Sequence, residues 1–171
     1  MQYIISFFIF LVAQVVSVYT ISVNDIDGNA INFSSFQGKK ILLVNTATNS
    51  ADVDQYAQLE ALYQLHRDSL VIIAFPANDF GNEPRTNAGI DSFVHNNYDI
   101  HYLLAEKTVV SGSNKSYLYN WLSDSTINGM TDSRVNKDFY KFLVNSEGKL
   151  IGIFTNQVNP LDSVLQNAIT N

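Results

Sequence analysis

Cysteine is absent from all 171 residues. That absence excludes disulfides, thiolate nucleophiles, thiolate-held metals and a lipid anchor attached through cysteine. Core packing must therefore hold the fold, and 46% of the residues are hydrophobic. Basic residues are also few: 10 Lys and Arg stand against 16 Asp and Glu, a formal net charge of -6. An acidic surface attracts neither nucleic acid nor an anionic membrane, which removes both from the candidate partners. Proline occurs three times and glycine eight, and no linker, repeat or low-complexity segment interrupts the chain. Its length suits one domain.

Residues 1–17 are apolar and uncharged, most densely from Ile4 to Val12. Such a run is shorter than the about 20 residues of a spanning helix. It reads as a secretory signal peptide ending near Val15-Val16-Ser17, with an uncleaved anchor as the alternative. A secreted or periplasmic location follows, with residues 18–171 forming the domain. Asn32-Phe33-Ser34 and Asn114-Lys115-Ser116 match the N-glycosylation acceptor pattern, which has meaning in a eukaryotic source.

Apolar and polar residues alternate from Val18 to Val23, and Asp25 to Asn29 supply turn chemistry before Ala30 to Phe33, which predicts an N-terminal β-hairpin. Ile41-Leu42-Leu43-Val44 and Leu70 to Phe75 are unbroken apolar runs that suit strands covered on both faces. Between them, Val53, Tyr56, Leu59, Leu62 and Tyr63 recur at helical spacing behind Asp52 or Asp54 as a cap. Strand, helix and strand make a right-handed βαβ unit, with Ser50 in the loop at the carboxyl end of the first strand. Helices are predicted from Thr86-Asn87 to about Asn96, from Lys115 to Ser123, and from Pro160 onward. Phe139 to Val144 and Leu150 to Phe154 read as a hairpin around Asn145-Ser146-Glu147-Gly148. His66, His95 and His101 have no ligand spacing, so neither a metal nor a cofactor is expected.

Several of these segments carry a resemblance. Gly38 to Ser50, followed by Gln55-Tyr56, Leu59-Glu60 and Leu62-Tyr63, resembles the first strand, turn and helix of the glutathione peroxidases. Phe75-Pro76-Ala77-Asn78-Asp79-Phe80-Gly81-Asn82-Glu83-Pro84 is similar to that family's Phe-Pro-Cys-Asn-Gln-Phe-Gly-x-Gln-Glu-Pro signature with one residue deleted. Val110 to Asn114, Leu118 to Leu122 and Phe139 to Asn145 continue it, so the likeness covers roughly residues 18 to 170. It implies an α/β, thioredoxin-like fold: a central mixed β-sheet flanked by helices, with the N-terminal β-hairpin.

By the same resemblance, Ser50 stands where the family has its peroxidatic cysteine or selenocysteine. Asn82 falls on the family's glutamine, Lys137 and Asp138 on its tryptophan and asparagine, and Ala77 on a second cysteine. All four family catalytic positions, Ser50, Asn82, Lys137 and Asp138, are thus substituted. A serine oxygen is not oxidised by peroxide under these conditions, and without a base it is a poor nucleophile. The expectation is a degenerate member, a pseudoenzyme, of a family that reduces hydroperoxides with a thiol reductant in oxidative-stress response. The alternatives are a residual peroxidase working elsewhere and a module binding a peptide, lipid or protein partner in the emptied depression. A Ser50, Lys137 and Asp138 cluster with hydrolytic chemistry is a further one. With no long insertion between Leu122 and Phe139, a monomer is expected.

Overall fold

A computed structural model of the chain describes residues 15–171. The apolar run from Ile4 to Val12 lies outside the described residues. Five strands form the central sheet: β3 (Lys40–Thr46), β4 (Leu70–Pro76), β5 (Leu103–Leu104), β6 (Lys141–Val144) and β7 (Leu150–Phe154), in the order β5-β4-β3-β6-β7. The β3–β4 and β4–β5 pairs are parallel, whereas β3–β6 and β6–β7 are antiparallel. The sheet is therefore mixed, as expected. β1 (Ser22–Asn24) and β2 (Ala30–Asn32) form the N-terminal hairpin as a separate antiparallel pair.

β3 lies at the centre because both of its faces are apolar: Ile41 and Leu43 enter one core, Leu42 and Val44 the other. The first core contains Phe75, Tyr119, Trp121 and Phe142, and the second contains Tyr56, Leu59, Leu62 and Phe139. Helix α1 (Gln55–His66) covers the second face together with α2 (Asn87–Tyr98) and α5 (Ser163–Thr170), and α3 (Tyr117–Ser123) packs on the first. Thr86 caps α2, its hydroxyl accepting from Gly89 N–H at 3.3 Å.

Local details depart from the sequence reading. Val18–Thr20 is a turn of 3-10 helix, so β1 begins at Ser22 and not at Val18. The cause is Ser17, whose hydroxyl accepts from Tyr19 N–H and ties the segment into a turn. Asp54 occupies the cap position of α1 without a side-chain bond, and α5 starts at Ser163, after Asp162, because Pro160 and Leu161 lie in the preceding turn. Strand β5, the 3-10 turn Phe33–Phe36 and the single-turn helix α4 (Ser125–Asn128) had no sequence signal.

The segment before the hairpin is part of the packed domain. Val16 N–H donates to Ile127 O at 2.9 Å, and the indole Nε1–H of Trp121 donates to Val16 O at 2.7 Å. Gly148, at φ 81°, closes the β6–β7 turn, and Ser17 and Tyr19 sit where a Cβ would stand.

Candidate functional site

β3 delivers Ser50 at the carboxyl end of the sheet. The strand ends at Thr46, and the chain turns back with Ser50 N–H donating to Ala47 O at 3.3 Å and Val53 N–H to Ser50 O at 3.2 Å. Ser50 is 7% exposed, and its Oγ accepts from Asp52 N–H at 3.2 Å. The loop after β4 is pinned to this turn, because Asn49 N–H donates to Asn82 O at 3.0 Å.

The fixing element is Glu83, fully buried beneath the loop. Its carboxylate accepts from Thr48 N–H at 2.7 Å and Thr48 Oγ1–H at 2.8 Å, and from Arg85 N–H at 3.3 Å. The Arg85 guanidinium bonds Thr48 Oγ1 and Asn49 Oδ1 and stacks 4.5 Å above the centre of the Phe93 ring. A buried carboxylate is tolerated where such donors surround it.

The third contribution comes from the segment entering β6. Asn45 Nδ2 donates to Lys137 O at 2.9 Å, and Phe139 N–H donates to Asn45 O at 2.6 Å. Phe139 has φ 62°, a conformation that bulky side chains rarely adopt. The buried edge-to-face contact of its ring with Tyr56, at 5.4 Å, helps hold it there. This kink turns Asp138 inward, where Asn82 Nδ2 donates to its Oδ2 at 2.7 Å.

Ser50, Asn82, Lys137 and Asp138 consequently surround one depression of about 200 Å³, shared with Ala51, Asp52 and Phe80. Lys137 is exposed at its rim, and among the described residues no hydrogen bond joins its ammonium to Ser50. Burial raises the Asp138 carboxyl above its ordinary value, while the Asn82 amide and the nearby Ser50 hydroxyl pull the other way. Asp138 Oδ1 nonetheless accepts no hydrogen bond of normal geometry. Lys141 lies fully buried below, donating to Phe139 O at 2.8 Å. Burial brings its ammonium down to about 8, against the opposing pull of Asp52 and Asp162.

Asp52, Phe80, Glu83 and Lys141 were not singled out from the sequence as site residues. Asp52 read as a cap, but its carboxylate instead accepts from Asn156 Nδ2 at 2.9 Å. Ala77 is fully buried, in the first core. Among the described residues no cluster of His, Asp and Glu has metal-holding geometry.

Residues 18–123 match the glutathione peroxidase family model. The chain belongs to the glutathione peroxidase family. Over 158 residues it is 33% identical to glutathione peroxidase-like peroxiredoxin 2 of Saccharomyces cerevisiae, covering 90% of this chain and 98% of that one. It is 37% identical over 144 residues to glutathione peroxidase-like peroxiredoxin gpx1 of Schizosaccharomyces pombe, covering 83% and 90%. The crystal structure of Trgpx in apo form superposes with a TM-score of 0.71 at 28% identity, over 91% of this chain and 94% of that one. A thioredoxin-family thiol:disulfide interchange protein from Chlorobium tepidum shares the fold at 13% identity and a TM-score of 0.63, over 87% and 92%. The fold of this glutathione peroxidase family member is thioredoxin-like.

Proposed function

We propose that this chain is a glutathione-peroxidase-family pseudoenzyme, descended from proteins that reduce hydroperoxides with a thiol reductant and no longer able to do so. The observation that carries the reading is Ser50 at the loop leaving β3, in a sequence without cysteine. Reduction of a peroxide by this chemistry needs a thiolate or selenolate that attacks the O–O bond and is regenerated by thiols. Met130, 43% exposed, can take one oxygen from peroxide, but the sulfoxide is not returned by glutathione and supports no turnover. The remainder of the depression supports the same reading. Asp138 presents an acceptor where the resemblance implies a donating amide, and a departing peroxide oxygen needs donors.

The retained depression favours a second reading, a binding module. The Asn82 to Asp138 bond and the Glu83 anchor keep its walls ordered without any reacting sulfur. The apolar residues 1–17 favour export to a secreted or periplasmic location, and the short connection between α3 and β6 favours a monomer.

The test is a coupled assay of the purified protein with hydrogen peroxide and a lipid hydroperoxide, using glutathione and thioredoxin as reductants. No turnover above a heat-denatured control is expected. Turnover that survives in Ser50→Ala would show that another centre performs the chemistry and would end the pseudoenzyme reading.

A further inference from the structure

At the other end of the sheet, β4 outruns its neighbour. It spans Leu70–Pro76 but pairs with β5 only at Ile73 and Ala74, so its first residues border a notch of about 260 Å³ at the sheet edge. The notch lies at the amino ends of the parallel strands, whereas Ser50 leaves a carboxyl end. No residue lines both depressions.

The walls of the notch have two characters. Its apolar part comes from Phe36, Tyr63, Val71, Tyr102 and Leu103, of which Leu103 is 36% exposed. Tyr63 and Tyr102 meet edge to face at 6.4 Å, which gives that wall a fixed shape. Its polar part comes from Ser35, Gln37, Lys39, Arg67 and His101, with two fixed positive charges and no carboxylate. Lys39 Nζ donates to Arg67 O at 3.3 Å, while the Arg67 guanidinium has no hydrogen-bond or ion-pair partner among the described residues. Glu60, the acid paired with His101, is engaged: it accepts from His101 N–H at 2.7 Å and from Gln64 Nε2, and its Oε1 lies 3.0 Å from His101 Nδ1. A chain of net charge -6 with 10 Lys and Arg has thus placed two of them beside one apolar recess without an acid lining it.

We infer that this notch binds a small carboxylate with an apolar tail, the carboxylate at Lys39 and Arg67 and the tail against Tyr63, Val71, Tyr102 and Leu103. Pockets for drug-sized ligands run from about 300 to 1,000 Å³, so the occupant is smaller. Arg67 supplies a planar pair of donors matched to a carboxylate, and Lys39 adds a point charge. The site is independent of the Ser50 depression and of any peroxidase chemistry there.

Octanoate is the probe, titrated into the protein while backbone amides are followed by NMR, with octanol and acetate as controls. Octanoate should saturably shift the amides of Val71, Tyr102 and Leu103 and leave Ser50 unmoved. Arg67→Gln and Lys39→Gln should each weaken binding about two- to fivefold, the range of exposed ion pairs. Octanol and acetate should each bind more weakly than octanoate. Equal binding of octanol would show that the charge is not read, and equal binding of acetate that the tail is not. Either result overturns the inference, as does octanoate affinity unchanged in the Lys39→Gln, Arg67→Gln double variant. Shifts at the same amides that follow protein concentration without ligand would assign the notch to a second copy of the chain instead.

Discussion

Glu83 and Asp138 are carboxylates buried in the same corner of the molecule, and their surroundings differ. Glu83 receives three hydrogen bonds, from two donors on Thr48 and one on Arg85, and it locks the loop after β4 to the turn after β3. Asp138 receives one bond from Asn82 and keeps an unpartnered Oδ1, and burial raises its carboxyl. The first carboxylate is built into the scaffold, and the second stands at a position where the family resemblance implies an asparagine. The contacts that shape the corner are complete on the Glu83 side. Under the pseudoenzyme reading, the contacts that once addressed a reacting oxygen are the ones left incomplete.

Rebuilding the reacting side would sharpen that contrast most. Ser50→Cys alone should oxidise slowly in stopped-flow measurements with hydrogen peroxide, close to a free thiol in solution. Adding Asn82→Gln, Lys137→Trp and Asp138→Asn should accelerate the step by on the order of 10²–10³, the effect of a donor aimed at developing charge. If the single variant already reacts as fast, the surrounding positions are not what limits the site, and the contrast between the two sides fails.

Removal of the scaffold carboxylate should have the next largest effect. Glu83→Ala leaves the Thr48 donors buried without an acceptor, and its cost should be about 2–4 kcal/mol in urea unfolding, since each stranded buried donor incurs its full desolvation penalty. A loss below about 1 kcal/mol would mean that Glu83 does not anchor the loop.

Asp138→Asn should act in the opposite direction and more weakly. The folded pKa of Asp138 lies above its unfolded value, so the folded chain binds this proton more readily. Its contribution to stability is therefore fully present at low pH and is lost as pH rises through the folded pKa. The asparagine variant should accordingly be more stable than the parent at pH 7, by less than about 1 kcal/mol. The gain should vanish below the ordinary carboxylate value of 3.8. A variant less stable at pH 7, with no pH dependence of the difference, would place Asp138 with Glu83 as a satisfied structural acid.

The sequence made the framework legible where periodicity and apolar runs are local properties. The strand, helix and strand around Ser50 and the β6–β7 hairpin lie where Ile41 to Val44, Leu70 to Phe75 and Phe139 to Phe154 indicated. β5 was invisible because Leu103–Leu104 is a strand only through its partners Ile73 and Ala74, thirty residues upstream. The notch it leaves uncovered was equally invisible. At the site, motif resemblance brought forward Ser50, Asn82, Lys137 and Asp138, which do share one depression. The burial of Glu83 and Lys141 was not readable, since a charged side chain in a strand or loop is solvated by default and only the folded contacts reveal otherwise.

The bond from Trp121 to the carbonyl of Val16 gives the molecule its own optical gauge. The chain contains a single tryptophan, whose indole is fully buried and whose hydrogen-bond acceptor is the carbonyl of Val16, just ahead of the 3-10 turn that opens the domain. Trimming after Ser17 would take that acceptor away and uncover the indole N–H, whereas trimming upstream of Val15 would leave it paired. Indole emission would thus separate a chain that begins after Ser17 from one that keeps Val16, reporting from inside the folded domain.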